Sequence, residues 1–589
     1  MASKISCLLL LFVAASCVYQ SSALHAAKNQ TAWLTVDASE GSGRLIPETL
    51  FGIFFEEINH AGVGGLWAEL VSNRGFEAGG SSVPSNIDPW TIIGDDSSVI
   101  VSTDLSSPFD SNRVALRMDV LCDSDCPPRG VGVYNPGYWG MNIQGGKKYQ
   151  VVLYLRSSRE TSVAVSLASS NGSEILASAN ITVASSDVGN WTRKEFVLEA
   201  KGTDPHARLQ LTTTTKGALW FDQVSAMPLD TYKGLGFRND LFQMLVDIKP
   251  RFLRFPGGCY VEGEWLRNAF RWKETIGPWE QRPGHFGDVW KYWSDDGLGY
   301  LEYLQLAEEL HAAPVWVFNI GISHNDEVNT TAVLPFIQEA LDSIEFARGD
   351  SNSTWGSVRA ELGHPEPFDL KYIALGNEDC GKPNYRELQC KRLPFISEYA
   401  VTDGAGNGTL LSAVAEAGFL IGVEKNSDIV EMASYAPLFV NVNDRMWTPD
   451  AIVFDSSRMY GTPSYWMQQF FRESSGATLL NSTLQTNSSD SLIADAITWK
   501  DTNTGKNNIK IKIVNFGWKP VILKVSLSGI DSNFSWTQTE LTSCNVTDEN
   551  SLDEPDKIVP RVTQLGNVGE DLTFLLSPHS ITSYDLMKN

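Results

Sequence analysis

Lys371-Tyr372-Ile373-Ala374-Leu375-Gly376-Asn377-Glu378-Asp379 is a short apolar run that stops on a glycine and a cluster of polar side chains. A run of this length, ended by a turn residue, suits a strand buried on both faces, as in a parallel sheet. The same construction recurs at Leu50-Phe51-Gly52-Ile53-Phe54-Phe55, Arg251-Phe252-Leu253-Arg254-Phe255, Pro314-Val315-Trp316-Val317-Phe318, Pro394-Phe395-Ile396 and Ile429-Val430. Helical periods lie between these runs. Val333, Phe336, Ile337, Ala340, Leu341, Ile344 and Ala347 keep the 3.6-residue spacing, and Leu301, Leu304, Ala307 and Leu310 keep it more loosely. Strand, helix, strand is the rhythm of a (β/α) barrel.

The segments outside this rhythm read differently. From about Phe76 to Asp230 the chain alternates apolar and polar residues, as in Tyr149-Gln150-Val151-Val152-Leu153-Tyr154-Leu155, with Gly, Asn and Ser turns between such stretches. Period-two alternation with turn residues predicts an inserted β-sandwich. Tyr138, Trp139, Trp191 and Trp220 would give it either a sugar-stacking face or core aromatics. Strand-like patterns return after about Asp455, as in Ile509-Lys510-Ile511-Lys512-Ile513, and predict a second sandwich. The expected division is 1–26 signal peptide, 27–75 first β segment with the first barrel strand, 76–232 inserted sandwich, 233–454 barrel and 455–589 C-terminal sandwich.

Lys4, the run Leu8-Leu9-Leu10-Leu11-Phe12-Val13-Ala14-Ala15 and the small residues at Ser22-Ala23 read as a secretory signal. The run is shorter than the ~20 apolar residues that a membrane span needs. Asn-x-Ser/Thr sequons from Asn29 to Asn545 agree with export as a glycoprotein. With Cys7 and Cys17 in the signal, Cys122, Cys126, Cys259, Cys380, Cys390 and Cys544 remain, too few for a disulfide scaffold. Cys122 and Cys126 are placed either to close a small disulfide loop or to stay free. The formal charge of −24 repels phosphate backbones and argues against a nucleic-acid partner.

Barrel enzymes carry their chemistry where strands give way to loops, which selects Phe55-Glu56-Glu57, Arg254-Phe255-Pro256-Gly257-Gly258-Cys259, Gly376-Asn377-Glu378-Asp379 and Ser397-Glu398-Tyr399. Two glutamates at different strand ends of one barrel mouth can meet the ~5–5.5 Å separation of a retaining glycosidase. One protonates the departing oxygen while the other attacks the anomeric carbon, and a nearby arginine, here Arg254, keeps the attacking carboxylate charged.

The segments Tyr372 to Gly381, Phe252 to Cys259, Gly418 to Asn426 and Met432 to Phe439 resemble the plant α-L-arabinofuranosidases of glycoside hydrolase family 51. The resemblance implies a (β/α)8-type barrel with a carbohydrate-binding-module-like insertion and a C-terminal β-sandwich. It also implies release of terminal arabinofuranose from arabinan, arabinoxylan and arabinogalactan, which with the signal segment places the expected action outside the cell, in the cell wall. By motif Glu378 is the acid/base and Glu398 the nucleophile, Asn377, Glu56 and Cys259 are sugar contacts, and Arg254 and Tyr399 support the nucleophile. Cys259 stands where bacterial relatives carry asparagine. No cofactor or catalytic metal is implied, and with no later stretch long enough to cross a bilayer no membrane partner is expected.

The same resemblance places the acid/base after the fourth strand and the nucleophile after the seventh. Only twenty positions separate Glu378 from Glu398. At ~30 residues per βα unit the chain is short by about 70 residues, with the junction at 386–394. The alternative to an active hydrolase is therefore a catalytically impaired, shortened variant that acts at most as a wall-glycan binder.

Overall fold

The computed structural model describes residues 30–379, 382, 395–487, 491–502, 504–530, 534–567 and 571–588. The expected signal segment 1–26, Cys380, Cys390 and the 386–394 junction lie outside the described residues.

Six parallel strands form the barrel sheet: β1 (Phe51–Phe54), β2 (Phe252–Phe255), β3 (Ala313–Phe318), β4 (Tyr372–Leu375), β5 (Phe395–Tyr399) and β6 (Met432–Tyr435). They hydrogen-bond in the order β4-β3-β2-β1-β6-β5. Every residue of β2 and β6 is buried, as the continuous apolar runs require. The last strand begins three residues beyond the expected Ile429-Val430. Val430 N and Ile429 N still donate to Asn426 O, so those residues close the preceding helix.

Helices α1 (Asn239–Ile248), α2 (Tyr300–Glu309), α3 (Leu334–Arg348), α4 (Thr354–Glu361) and α5 (Leu410–Lys425) lie between the strands. Leu241, Leu245, Tyr303 and Leu304 from α1 and α2 share one core with Leu253, Phe255 and Trp316 from the strands.

The sheet has two ends. Among the described residues no ladder joins β4 to β5, and these are the strands that carry Glu378 and Glu398. The outer side of β4 leaves Ile373 46% and Leu375 43% exposed, and α3 leaves Ile337 48% and Leu341 55% exposed. The helical period therefore places α3 correctly, but only Ala340, Ser343, Phe346 and Ala347 of it are buried.

The inserted sandwich packs a sheet ordered 175–183, 161–168, 204–213, 131–135, 91–93 against one ordered 192–199, 148–157, 217–228, 115–120, 99–104. Strand Lys148–Ser157 alternates buried and half-exposed residues, and Val151, Leu153 and Leu155 meet Val163, Val165 and Leu167 in the core. Cys122 and Cys126 are bridged.

Two expected boundaries move. Thr31–Asp37 pairs in parallel with Val521–Ser528 and antiparallel with Asn481–Thr486, so this first β segment joins the C-terminal sandwich and parts from the barrel strand with which it was grouped. Its alternating burial fits a sheet with one solvated face, not a strand buried on both. At the other boundary Met459–Gly461 and Pro463–Gln468 pack with the barrel, and the sandwich strands begin at Thr478 instead of near 455. A buried ion pair, Lys512 Nζ to Glu424 Oε2 at 2.6 Å, ties that sandwich to α5.

Candidate active site

Arg254 sits on β2, near the middle of the sheet, and its buried guanidinium reaches strands at both ends. Nη1 donates to Glu398 Oε1 and Nη2 to Asn377 Oδ1, each at 2.8 Å. Glu398 lies on β5, and Asn377 follows β4. The guanidinium stacks over Phe54 at 4.7 Å. One cation thus bridges the two strand ends that carry the catalytic candidates. A charge-assisted bond to a carboxylate is roughly twice as strong as a neutral one.

Glu56, just past β1, accepts hydrogen bonds from Tyr260 N at 2.8 Å and Trp290 Nε1 at 3.0 Å. A methyl group placed on Gly258 would lie 3.3 Å from Glu398 Oε1, 3.4 Å from Glu56 Oε2 and 3.5 Å from Asn377 Nδ2. Three polar atoms therefore converge on one spot, and a side chain at Gly258 would fill it.

Glu378 has φ +49, left-handed backbone that is uncommon for a residue other than glycine and typical of strained functional sites. The turn that delivers it needs Gly376, which has φ +69. A Cβ there would also lie 2.1 Å from Asp379 Oδ2. The Glu378 side chain is exposed at the open end of β4.

Electrostatics follow from burial. The Glu398 carboxyl is pushed above its ordinary value by burial and by Glu378, while Arg254 works in the opposite direction. About a third of its side chain stays accessible, at 32%. Glu56 is raised to about 7, chiefly by burial and then by the charge of Glu398, against its two donors and Arg254. The Cys259 thiol, half-buried and free, is driven up by burial and by the carboxylates Glu56, Glu262, Glu378 and Glu398 around it. It is a neutral thiol facing the same space.

Glu378, Glu398, Asn377, Glu56, Cys259 and Arg254 thus all face one barrel mouth. Tyr399 does not. Its ring packs on Tyr435 at 5.6 Å and on Phe419 at 5.4 Å, inside the apolar layer, so it cannot support the nucleophile directly. The β5–β6 register is irregular between Ile396 and Tyr399, which makes direction hard to count from sequence.

The four aromatics expected on the inserted sandwich also divide. Trp191 and Trp220 flank Arg156, at 5.3 and 4.1 Å, and spend their indole N–H groups on Ser106 O and Asp104 Oδ2. Tyr138 and Trp139 instead meet His60 of the barrel, at 5.8 and 5.0 Å between centroids.

Sequence reasoning missed Glu262 and Trp290. Glu262 accepts from Asn377 Nδ2 at 3.0 Å and is raised to about 8, chiefly by burial. Its signal was present in the sequence, since Glu262 follows Cys259 by three residues on one helical turn. Trp290 comes from the 285–294 hairpin, which carries no period to reveal it. Cys259, Glu262 and His324 hold possible metal-ligand atoms within 4.8 Å of one another, the one such group among the described residues.

A family model described as the α-L-arabinofuranosidase 1 domain matches residues 244–398, and one for the α-L-arabinofuranosidase C-terminal domain matches residues 398–580. "Alpha-L-arabinofuranosidase 1" of Arabidopsis thaliana is 60% identical over 644 residues, covering 98% of this chain and 94% of its own length. "Extracellular exo-alpha-L-arabinofuranosidase" of Streptomyces chartreusis is 30% identical over 604 residues, covering 87% of this chain and 70% of its own. Among solved structures, an arabinose-bound family 51 α-L-arabinofuranosidase matches with TM-score 0.84 and 28% identity, covering 94% of this chain and all of that one.

Proposed function

Because the chain belongs to the α-L-arabinofuranosidases of glycoside hydrolase family 51, we propose that it removes terminal α-L-arabinofuranosyl residues from arabinan, arabinoxylan and arabinogalactan with retained configuration. The membership makes it a glycosidase. The substrates, the roles of individual residues and the place of action are our reading.

The observation that carries the residue assignment is the Arg254 fork, which orients Glu398 and Asn377 toward one point. Glu398 attacks the anomeric carbon as the glycosidic C–O bond breaks, giving a glycosyl ester, and Glu378 hands its proton to the departing oxygen. Glu378 then takes a proton from water, whose oxygen attacks the same carbon and frees Glu398. Two inversions give net retention. Asn377 and Glu56 hold sugar hydroxyls beside the reacting carbon, and the Cys259 thiol lines the wall.

Hydrolysis is favoured over the binding-only alternative, since the relatives reported above are glycosidases. The open sheet still has a consequence. In the alignment with the Arabidopsis relative, 98% of this chain's 589 residues spread over 644 positions, so roughly 65 positions have no residue of this chain opposite them. We place that gap at the 386–394 junction, between β4 and β5, where about two βα units would close the sheet and cover Ile373, Leu375, Ile337 and Leu341. Secretion through residues 1–26 is likewise our reading. The Streptomyces relative is named as extracellular, and among the described residues no helix is long and apolar enough to cross a membrane.

Proton NMR of the first-formed product tests the chemistry. We expect the anomer with retained configuration ahead of mutarotation, and an inverted first product would refute the two-carboxylate assignment.

A further inference from the structure

We propose that Trp139 of the inserted sandwich and Trp447 of the loop after β6 form a platform at the barrel mouth that binds the neutral glycan chain beyond the arabinofuranosyl residue being cut. The proposal rests on the arabinofuranosidase reading and extends it to the part of the substrate that does not react.

Both tryptophans are tied to consecutive residues, Asn59 and His60, a few positions past Glu56. Asn59 Oδ1 accepts from Met446 N at 2.7 Å and Trp447 N at 3.1 Å, and Asn59 Nδ2 donates to Asp450 Oδ1 at 2.9 Å. His60 lies flat on Tyr292, with centroids 3.9 Å apart, and Tyr292 Oη donates to Glu57 Oε1 at 2.9 Å. Trp139 meets the same imidazole edge-on at 5.0 Å. A packed chain therefore runs from the Glu57 carboxylate, next to Glu56, through Tyr292 and His60 to an indole supplied by the inserted sandwich.

Three features separate this pair from ordinary surface aromatics. Trp139 and Trp447 are 44% and 48% exposed, yet the Trp139 ring is held against His60 and the Trp447 backbone against Asn59. Asn59, His60 and Trp139 all have positive φ, +56, +54 and +60, an arrangement that persists only where the surroundings over-determine it and that clusters at ligand sites. Neither indole N–H meets an acceptor among the described residues, in contrast to Trp191 and Trp220, so each can stack on a sugar ring and donate to a hydroxyl.

An exposed indole offers an apolar face with a polar edge, which suits the C–H face of a pyranose or furanose ring. The formal charge of −24 selects a neutral chain over a uronate-rich one. The insertion then has a function at the site: it delivers one wall of the mouth.

The test compares Trp139→Ala and Trp447→Ala with the parent on two substrates. One is 4-nitrophenyl α-L-arabinofuranoside, which has no further sugar, and the other is a linear α-1,5-arabinotetraose. We expect KM for the tetraose to rise about 3- to 10-fold in each variant, the range of a lost aromatic contact, with kcat and the aryl substrate unchanged. Equal behaviour of parent and variants on the tetraose overturns the platform. If the parent hydrolyses neither substrate, the catalytic reading fails, and the platform is judged by affinity electrophoresis in debranched arabinan. Retardation of the parent that both variants lose supports it, and equal mobility sinks it. Trp447 lies outside the inserted sandwich, so Trp447→Ala decides the matter if Trp139→Ala does not fold.

Discussion

Replacing Arg254 by methionine removes the cation that bridges the two ends of the sheet while keeping an apolar stem over Phe54. Two bonds of 2.8 Å are lost, one to the Glu398 carboxylate and one to the Asn377 amide. A hydrogen bond between charged partners contributes about 1.5–3 kcal/mol, and the accessible third of Glu398 moves it to the lower end. That alone slows the reaction by about 10- to 50-fold. A nucleophile displaced by ~1 Å costs up to ~10²-fold more. We expect kcat/KM to fall about 10²- to 10³-fold. The pH profile gives a second, independent readout. Arg254 opposes the burial that raises the Glu398 carboxyl, so its removal raises that carboxyl further. The acidic limb, where the nucleophile must lose its proton, then moves to higher pH. Arg254→Lys keeps the charge but not the fork and should lie between parent and methionine variant. The assay is kcat/KM on 4-nitrophenyl α-L-arabinofuranoside from pH 3 to 8, with circular dichroism to certify the fold. A folded methionine variant within threefold of the parent, its acidic limb unmoved, would refute the role given to the fork.

Glu398→Ala should nearly abolish turnover, and added azide should restore part of it as a glycosyl azide of inverted configuration, detected by NMR; undiminished activity removes Glu398 from its role. Glu56 and Glu262, raised to about 7 and about 8, keep protons in the folded chain that they lose near 4.5 once unfolded, so their contribution to stability is fully present below about 4.5 and is lost as pH rises through 7 to 8. Glu56→Gln should therefore raise the thermal midpoint relative to the parent at pH 7.5 and leave it unchanged at pH 4; a difference from the parent that is no larger at pH 7.5 than at pH 4 contradicts the assignment. Inserting the Arabidopsis relative's segment opposite the 386–394 junction should close the sheet and raise the rate on the aryl substrate at least tenfold at equal folded concentration; equal rates would show that the six-stranded sheet suffices.

The legible parts of the fold are those whose physics is local. β1, β2 and β3 announce themselves because strands buried on both faces need continuous apolar runs, and the inserted sandwich does so through the alternation of Tyr149 to Leu155. Thr31–Asp37 alternates too, but nothing local says that its partners lie more than 440 residues away at Asn481–Thr486. Polar residues within an apolar run, as Arg254, or just after one, as Glu56, Asn377, Glu378 and Glu398, gather at one mouth. Tyr399 was misjudged because the irregular β5–β6 register breaks the alternation that fixes side-chain direction. Trp290 and Trp139 could not be placed from sequence, since their positions depend on a hairpin and on a domain contact through His60 rather than on any period.

As the nucleophile of a retaining arabinofuranosidase, Glu398 must carry the glycosyl group as an ester during turnover. The direct measurement is to incubate the purified chain with an activated 2-deoxy-2-fluoro-α-L-arabinofuranoside, digest it and locate the covalent adduct by tandem mass spectrometry. We expect one glycosyl ester, on Glu398. An adduct on Glu378, Glu56 or any other carboxylate would contradict the assignment.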